Sequence, residues 1–282
     1  MTMERFTIDN ARKQIRPRDD DSHKGSYGHG LLAAGCYGMA GAAIMAAKAA
    51  LRSGIGLLSV STPECNRIIL QTAVPEAMVC TSGKLCCETL ETGARRYSAI
   101  AVGPGLGTAS QTAEALGGFL QSKPEVPVII DADALNIVAS WDRLDLLADT
   151  IITPHPGEFG RLAACDGIAY DKSRRIEQAS DFAVRHNCFV ILKGHATVVA
   201  SPDGRTSVNT TGNPGMATGG SGDVLTGVLL ALAAQGYSCW DTMRLGVFIH
   251  GLAGDVAART YSQTAMTAPD IIACLPKVWS EF

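Results

Sequence analysis

The sequence predicts an α/β protein with a mainly parallel central sheet, helices on both faces and a small hairpin at one edge. Three observations predict it. Short apolar, β-branched runs alternate with helical stretches, a Pro-Asp-Gly turn interrupts the alternation once, and no linker, repeat or low-complexity tract divides the 282 residues. Strands buried on both faces read as continuous apolar runs, because crossover helices cover them above and below. GLLSVST (56–62), AIAVG (99–103), VPVIID (126–131), TIITP (150–154) and CFVILKG (188–194) have that character. The stretches near 38–53, 109–121, 133–140, 158–164 and 172–187 read as the helices between them. TVVASPDGRTSVNTT (197–211) breaks the pattern, two β-like runs flanking Pro202-Asp203-Gly204, and reads as the edge hairpin. Helices near 223–235, 239–260 and 268–279 close a single domain over residues 1–282.

Composition removes several function classes. Hydrophobic residues are 46% and charged residues 18%, a globular balance that excludes disorder, and a net charge of −3 gives no footprint for nucleic acid. The nine cysteines form no CxxC pair and no zinc-spaced Cys/His cluster, which fits a reducing cytoplasm. Adjacent Cys86 and Cys87 read as packing or partly exposed thiols. Residues 31–47 carry no charge, but the run is mostly Ala and Gly, sits at the lower length limit for a span, and is closed by Lys48 and Arg52. It is expected to be a small-residue helix packed inside the protein, with no membrane contact. The N-terminal stretch shows no apolar signal region, so no export is expected, and Asp19–Asp21 read as a solvated loop.

In such sheets ligands bind beyond the carboxyl ends of the strands. That rule picks out Gly103-Pro104-Gly105-Leu106-Gly107, Asp131-Ala132-Asp133, Thr153-Pro154-His155-Pro156-Gly157-Glu158 and Lys193-Gly194-His195. Two nucleotide motifs fail. GxxxxGK[ST] is absent, and GHGLLA (28–33) follows a charged stretch instead of the strand that a dinucleotide fingerprint requires.

ATGGSGD (217–223) is more informative, because an apolar helical run follows it at once. A glycine-rich loop entering a helix N-terminus offers unpaired N–H groups and the positive end of the helix dipole, a site suited to phosphate. Asp223 can be read as a capping acid. Capping needs no glycine run, however, and an acid beside an anion hole is well placed to take a proton from a hydroxyl attacking a phosphoryl group. DADALN (131–136) offers carboxylates for magnesium, although Asp133 as the cap of the following helix is favoured. His155, rigid between prolines, is read as a ligand contact against a structural role. Lys193 at a strand end is either solvated or touches phosphate, and GPGLG (103–107) is either a tight turn or a source of backbone donors.

GPGLG, TPHPGE, LKGHATVV and NPGMATGGSGDVLTG, with the earlier HKGSYGHGLLAAG, GAA and RSGIG, resemble the ADP-dependent NAD(P)H-hydrate dehydratases over about His23 to Ala258. The resemblance implies a ribokinase-like fold and repair of NADH or NADPH hydrated on the nicotinamide ring. ADP, with Mg²⁺, would drive loss of water from the S epimer, releasing AMP and phosphate. It implies that Ala42, Gly105, His155 and Asp223 meet the hydrated nucleotide. Lys193, Gly194, His195, Ala196, Thr197, Gly220, Ser221 and Gly222 would line the ADP, and Asp223 would act as base. Ser221 stands where threonine is frequent in the family. Glu158 is the candidate magnesium ligand, the set being otherwise open. A homo-oligomer, a tetramer, is expected from the family, as is a partner epimerase on a separate chain. The alternative is a kinase of the same fold acting on a vitamin-precursor alcohol such as a thiazole or pyrimidine. A third reading, a catalytically dead nucleotide sensor, is disfavoured because a sensor has no need of Asp223.

Overall fold

A computed structural model describes residues 4–90, 97–141, 144 and 146–282; Met1–Met3 of the N-terminal stretch lie outside them. The strands are β1 (Glu4–Phe6), β2 (His29–Ala33), β3 (Leu57–Thr62), β4 (Met78–Thr81), β5 (Ala99–Val102), β6 (Val128–Ile130), β7 (Thr150–Ile152), β8 (Phe189–Leu192), β9 (Val198–Ala200) and β10 (Thr206–Asn209). The helices are α1 (Ile8–Gln14), α2 (Ala40–Arg52), α3 (Glu64–Ala73), α4 (Ser110–Gln121), α5 (Ala132–Val138), α6 (Pro156–Cys165), α7 (Arg175–Arg185), α8 (Ser221–Ala234), α9 (Cys239–Ala265, broken at Ser262) and α10 (Ala268–Trp279).

All ten strands join one sheet in the order β1-β10-β9-β8-β7-β6-β5-β2-β3-β4. Among the described residues only the pairings of β9, with β8 and with β10, are antiparallel. The expected hairpin is therefore present, but one strand in from the edge, because β1 pairs parallel to β10 and covers it. Successive strand residues flip side chains between faces, so Val128 and Ile130 point into one core and Ile129 into the other. The first core is closed by α4 to α7, through Leu116, Leu135, Phe159 and Phe182, and the second by α2 and α8, through Ala43, Ala46, Leu229 and Leu230. Helices α9 and α10 pack outside α8.

One expectation is overturned here. Leu31–Ala33, read as the start of a small-residue helix, form the end of β2, and α2 begins only at Ala40. Central position is the reason. β2 lies between β3 and β5 with both faces buried, and its Gly30 leaves room for Ile55 and Leu230, whose nearest atoms lie 2.6 and 3.1 Å from where a Cβ would stand. Packing on two faces outweighs the weak intrinsic preference of Leu and Ala for helix.

The rest of that run does form a helix, with Ala42, Ala43, Ala46, Ala47, Ala49 and Ala50 buried. Its small residues let α8 approach closely, and Gly227 is the contact point. A Cβ there would collide with the Ala46 carbonyl oxygen and come within 2.8 Å of the Ala49 Cβ. Gly227→Val is therefore expected to lower stability by about 3 kcal/mol, read from urea unfolding. An unchanged midpoint would show that the two helices can separate freely. Among the described residues no helix is long and apolar enough to cross a membrane.

The strand order also opens a crevice. From β2 the chain runs outward to β3 and β4, then returns through β5 and continues the other way to β8, so the order reverses between β2 and β5. A crevice opens at such a reversal, beyond the carboxyl ends of the strands. Across it the Gly35 N–H donates to the Pro104 carbonyl at 2.8 Å.

Candidate active site

A cavity of about 760 Å³ lies beyond the carboxyl ends of β6, β7 and β8 and is roofed by the start of α8. It brings together most of the residues singled out from the sequence. Asp131, His155, Glu158, Lys193 to Thr197, and Ser221 to Asp223 all line it.

The glycine loop enters α8 through Gly220, the N-cap, in the left-handed region at φ 89°. Glycine adopts that conformation at no steric cost, and here it lets the loop turn straight into the helix. Gly220 itself faces Met45 and Ala268 and is absent from the cavity lining, which the loop supplies through Ala217 and Thr218 and which resumes at Ser221. With Gly220 in the cap position, Asp223 sits in the first turn, and its carboxylate does not serve as the cap. A Cβ on Gly222 would stand 3.5 Å from Lys193 Nζ and 4.0 Å from Asp131 Oδ2, so the missing side chain keeps the helix start open towards these charges.

Asp131 is the buried centre, 1% exposed. It accepts from Thr153 Oγ1 at 2.6 Å and Lys193 Nζ at 2.8 Å on one oxygen, and from Thr226 Oγ1 at 2.7 Å on the other. Burial alone would raise its pKa, but the Lys193 charge and these donors hold it below the ordinary carboxylate range. Burial likewise works against the Lys193 ammonium, yet Asp131, with Glu158 at 3.8 Å and Asp223, keeps its pKa above normal. Lys193 is thus no solvated strand end. It is a fixed cation beside the helix N-terminus.

Asp223 is the opposite case. Burial pushes its carboxyl from the ordinary 3.8 up to about 6, the Asp131 charge adds to this, and Lys193 only partly offsets it. A carboxylate poised near neutrality and facing a cavity is suited to general-base work.

His155 has the structural role weighed for it, and it also lines the cavity. Its Nδ1 accepts from the N–H groups of Gly157 and Glu158 at 3.0 and 3.3 Å, capping α6, while Glu158 Oε2 accepts from His155 N at 2.7 Å. The neutral ring then carries its proton on Nε2, on a half-exposed side chain lining the cavity. Asp133 departs from expectation. It does not cap α5, whose N-cap position belongs to Asp131; its Oδ2 accepts from the Gly107 N–H at 2.9 Å and so ties the GPGLG turn to α5. A donor across the crevice satisfies that carboxylate better than an already formed helix turn would. Gly105 and Ala42 are not brought into the cavity. They face each other at the β2–β5 crevice, where a methyl on Gly105 would stand 2.9 Å from the Ala42 Cβ.

Three supporting residues escaped the sequence reading. Thr226 lies one turn beyond Asp223 on the same helix face, a spacing that could have revealed it. Arg175 donates to the carbonyls of Leu192 and His195 at 3.1 and 2.7 Å and so shapes the 193–197 loop, in which Ala196 has φ 54°. His250, buried in α9 with Nε2 3.4 Å from Ser221 Oγ, is held neutral, since burial lowers its pKa to about 4. Neither Arg175 nor His250 carries any local motif. Among the described residues no group of three or more His, Cys, Asp or Glu could hold a metal ion.

Comparison with known proteins bears on the family and the fold. The family model described as NAD(P)H-hydrate dehydratase matches residues 30–277. The chain is 35% identical to the ADP-dependent (S)-NAD(P)H-hydrate dehydratase of Bacillus subtilis, covering 98% of each chain. It is 39% identical to the bifunctional NAD(P)H-hydrate repair enzyme of Moorella thermoacetica over 95% of its own length, and spans about half (52%) of that longer relative. Among solved structures, the Bacillus subtilis ADP/ATP-dependent NAD(P)H-hydrate dehydratase co-crystallised with ATP/Mg²⁺ superposes with a TM-score of 0.87 at 32% identity, covering 100% of this chain and 99% of that one. A ribokinase-like superfamily protein from Enterococcus faecalis superposes at 0.86 with 29% identity, covering 99% and 96%.

Proposed function

Because this chain belongs to the NAD(P)H-hydrate dehydratase family, with a ribokinase-like fold, we propose that it restores NADH and NADPH from the S epimers of their hydrates, consuming ADP and releasing AMP and phosphate. The observation that carries the reading is Asp223, a carboxylate titrating at about 6 in the first turn of a glycine-led helix, beside a fixed ammonium.

Asp223 removes the proton from the ring hydroxyl as that oxygen attacks the β-phosphorus of ADP. The bond from that phosphorus to the bridging oxygen breaks, and AMP leaves. The N–H groups of the glycine loop and the Lys193 ammonium stabilise the charge developing on the transferred phosphoryl group. The ring nitrogen's electron pair then expels phosphate, a far better leaving group than hydroxide, and loss of a proton from the adjacent carbon restores the dihydropyridine. The 193–197 loop holds the nucleotide, while His155, Gly105 and Ala42 hold the hydrate.

Lacking a three-ligand cage, the lining residues fit a magnesium ion that arrives with the nucleotide phosphates, with Glu158 as its protein ligand. Bound there, the ion neutralises phosphate charge. We also propose one domain over residues 1–282, assembled as a homo-oligomer, a tetramer, in the cytoplasm, whose reducing conditions suit a chain of nine scattered cysteines. An enzyme selective for the S epimer leaves the R epimer unrepaired, so the reading calls for a partner epimerase activity.

Purified protein incubated with hydrated NADH and ADP is expected to regenerate the absorbance of NADH, with ADP a better donor than ATP and AMP and phosphate as products. Phosphorylation of a thiazole or pyrimidine alcohol with the hydrate untouched would establish the kinase alternative instead.

A further inference from the structure

Resting on the dehydratase reading, we infer that Arg161 binds the diphosphate bridge of the hydrated dinucleotide. The substrate is a polyanion, yet the cavity is poor in free positive charge. Among its described lining residues Lys193 is the only lysine or arginine, and it is already engaged by Asp131 and Glu158, with Asp223 close by. ADP places further phosphate beside that same ammonium. The second anion therefore needs a cation outside the cavity, on the side where the substrate residues lie.

Arg161 is in that place. Helical side chains lean towards the N-terminus, so from the second turn of α6 its guanidinium reaches back over Gly157. A methyl on Gly157 would stand 3.9 Å from Arg161 Nη1 and 2.9 Å from His155 Cε1, so guanidinium and imidazole border one patch of surface. On its other side Nη2 donates to Asn136 Oδ1 at 2.8 Å. Asn136 lies one turn beyond Asp133 on α5, the residue that holds Gly107. Arg161 thus joins the His155 end of α6 to α5, the helix whose Asp133 holds the GPGLG turn, and these two are the expected ends of the substrate contact.

Its charge is also available. Arg174, Arg185 and Arg205 each pair with a carboxylate, whereas the described partner of Arg161 is a neutral amide, and no described carboxylate lies within 4.0 Å of it. The side chain is exposed, but the amide fixes its direction. A planar guanidinium with free donors matches the two oxygens of a phosphate.

The test compares wild type, Arg161→Gln and Arg161→Lys on hydrated NADH and on hydrated reduced nicotinamide mononucleotide, which lacks the diphosphate bridge. For hydrated NADH, KM is expected to rise about ten- to hundredfold in the glutamine variant, the loss of a hydrogen bond to a charged group, with partial recovery in the lysine variant. The KM for ADP and kcat/KM for the mononucleotide should stay within about twofold, since neither uses the guanidinium. Unchanged KM for hydrated NADH, or an equal loss on the mononucleotide, overturns the inference while leaving the dehydratase reading intact. No turnover of either hydrate by wild type overturns that reading, and this inference with it. Should the glutamine variant fail to fold, the affinity of wild type and the lysine variant for NADH, read from its fluorescence, decides: equal affinities overturn the inference.

Discussion

Asp223→Asn is expected to lower kcat by about 10²–10⁴-fold, the usual cost of removing a general base, while the protein stays folded and still binds ADP. Asparagine keeps the shape of the side chain but cannot accept the proton. Helix α8 should be indifferent, because Gly220 occupies the cap position and the carboxylate makes no capping bond. Stability should hold or rise at neutral pH. A carboxyl whose pKa is about 6 in the folded protein, against 3.8 ordinarily, holds its proton more tightly when folded, so it lowers stability progressively as the pH rises from about 4 to about 6, in full above that, and costs nothing well below 4. Removing that cost gains on the order of 1–3 kcal/mol. ADP affinity should stay level or improve, since a negative charge near the phosphates is gone. In the wild type, kcat/KM should rise with pH through about 6 and then level off, and this acid limb should be absent from any residual activity of the variant. Near-normal turnover would remove Asp223 from the chemistry.

Asp131→Ala should produce the largest loss of stability. Cutting away the carboxylate leaves a Lys193 ammonium without its 2.8 Å partner and deprives the hydroxyls of Thr153 and Thr226 of their acceptor. Removing one partner of a buried ion pair typically costs about 3–5 kcal/mol, which in a chain of this size lowers the melting midpoint by roughly 10 °C. Because the pKa of Asp131 is depressed in the folded state, its contribution is present above the ordinary carboxylate range and disappears as the pH falls through the folded value. Lys193 is the mirror case, its contribution present below its ordinary range and lost as the pH rises through its raised folded pKa. The double variant Asp131→Asn with Lys193→Met should recover part of the loss, because no charge is then left buried. A single Asp131→Ala variant as stable as wild type in urea would show that water reaches and solvates Lys193.

These two residues are legible in the sequence to different degrees. Asp223 stands out because a helix that needs only a cap does not call for a glycine run before it, whereas an anion hole does. Asp131 is visible only as an acid after a strand, and its partners come from β7, β8 and α8, far apart along the chain. The long β-branched runs of β3 and β5 to β8 announce themselves, as does the turn between β9 and β10. Strands β1, β2 and β4 do not, nor do α1 and α3. Glu4–Phe6 is three residues long and becomes a strand only by pairing with β10, while His29–Ala33 is rich in Gly, Leu and Ala, which local preference does not assign to a strand. Asp133 reads as a cap because spacing along one chain cannot reveal an acceptor role across a crevice.

The contact of Gly227 with Ala46 has a mechanical consequence. A helix pressed backbone to backbone against its neighbour can neither slide nor roll without opening a gap or a clash. Helix α8 carries the glycine loop at its tip, Asp223 in its first turn and Thr226 in its second, so all three move as one stiff strut anchored in the interior. Any closing movement over bound reactants must then be made by the opposite jaw, the loops after β7 and β8, while the strut supplies the fixed anvil against which they close.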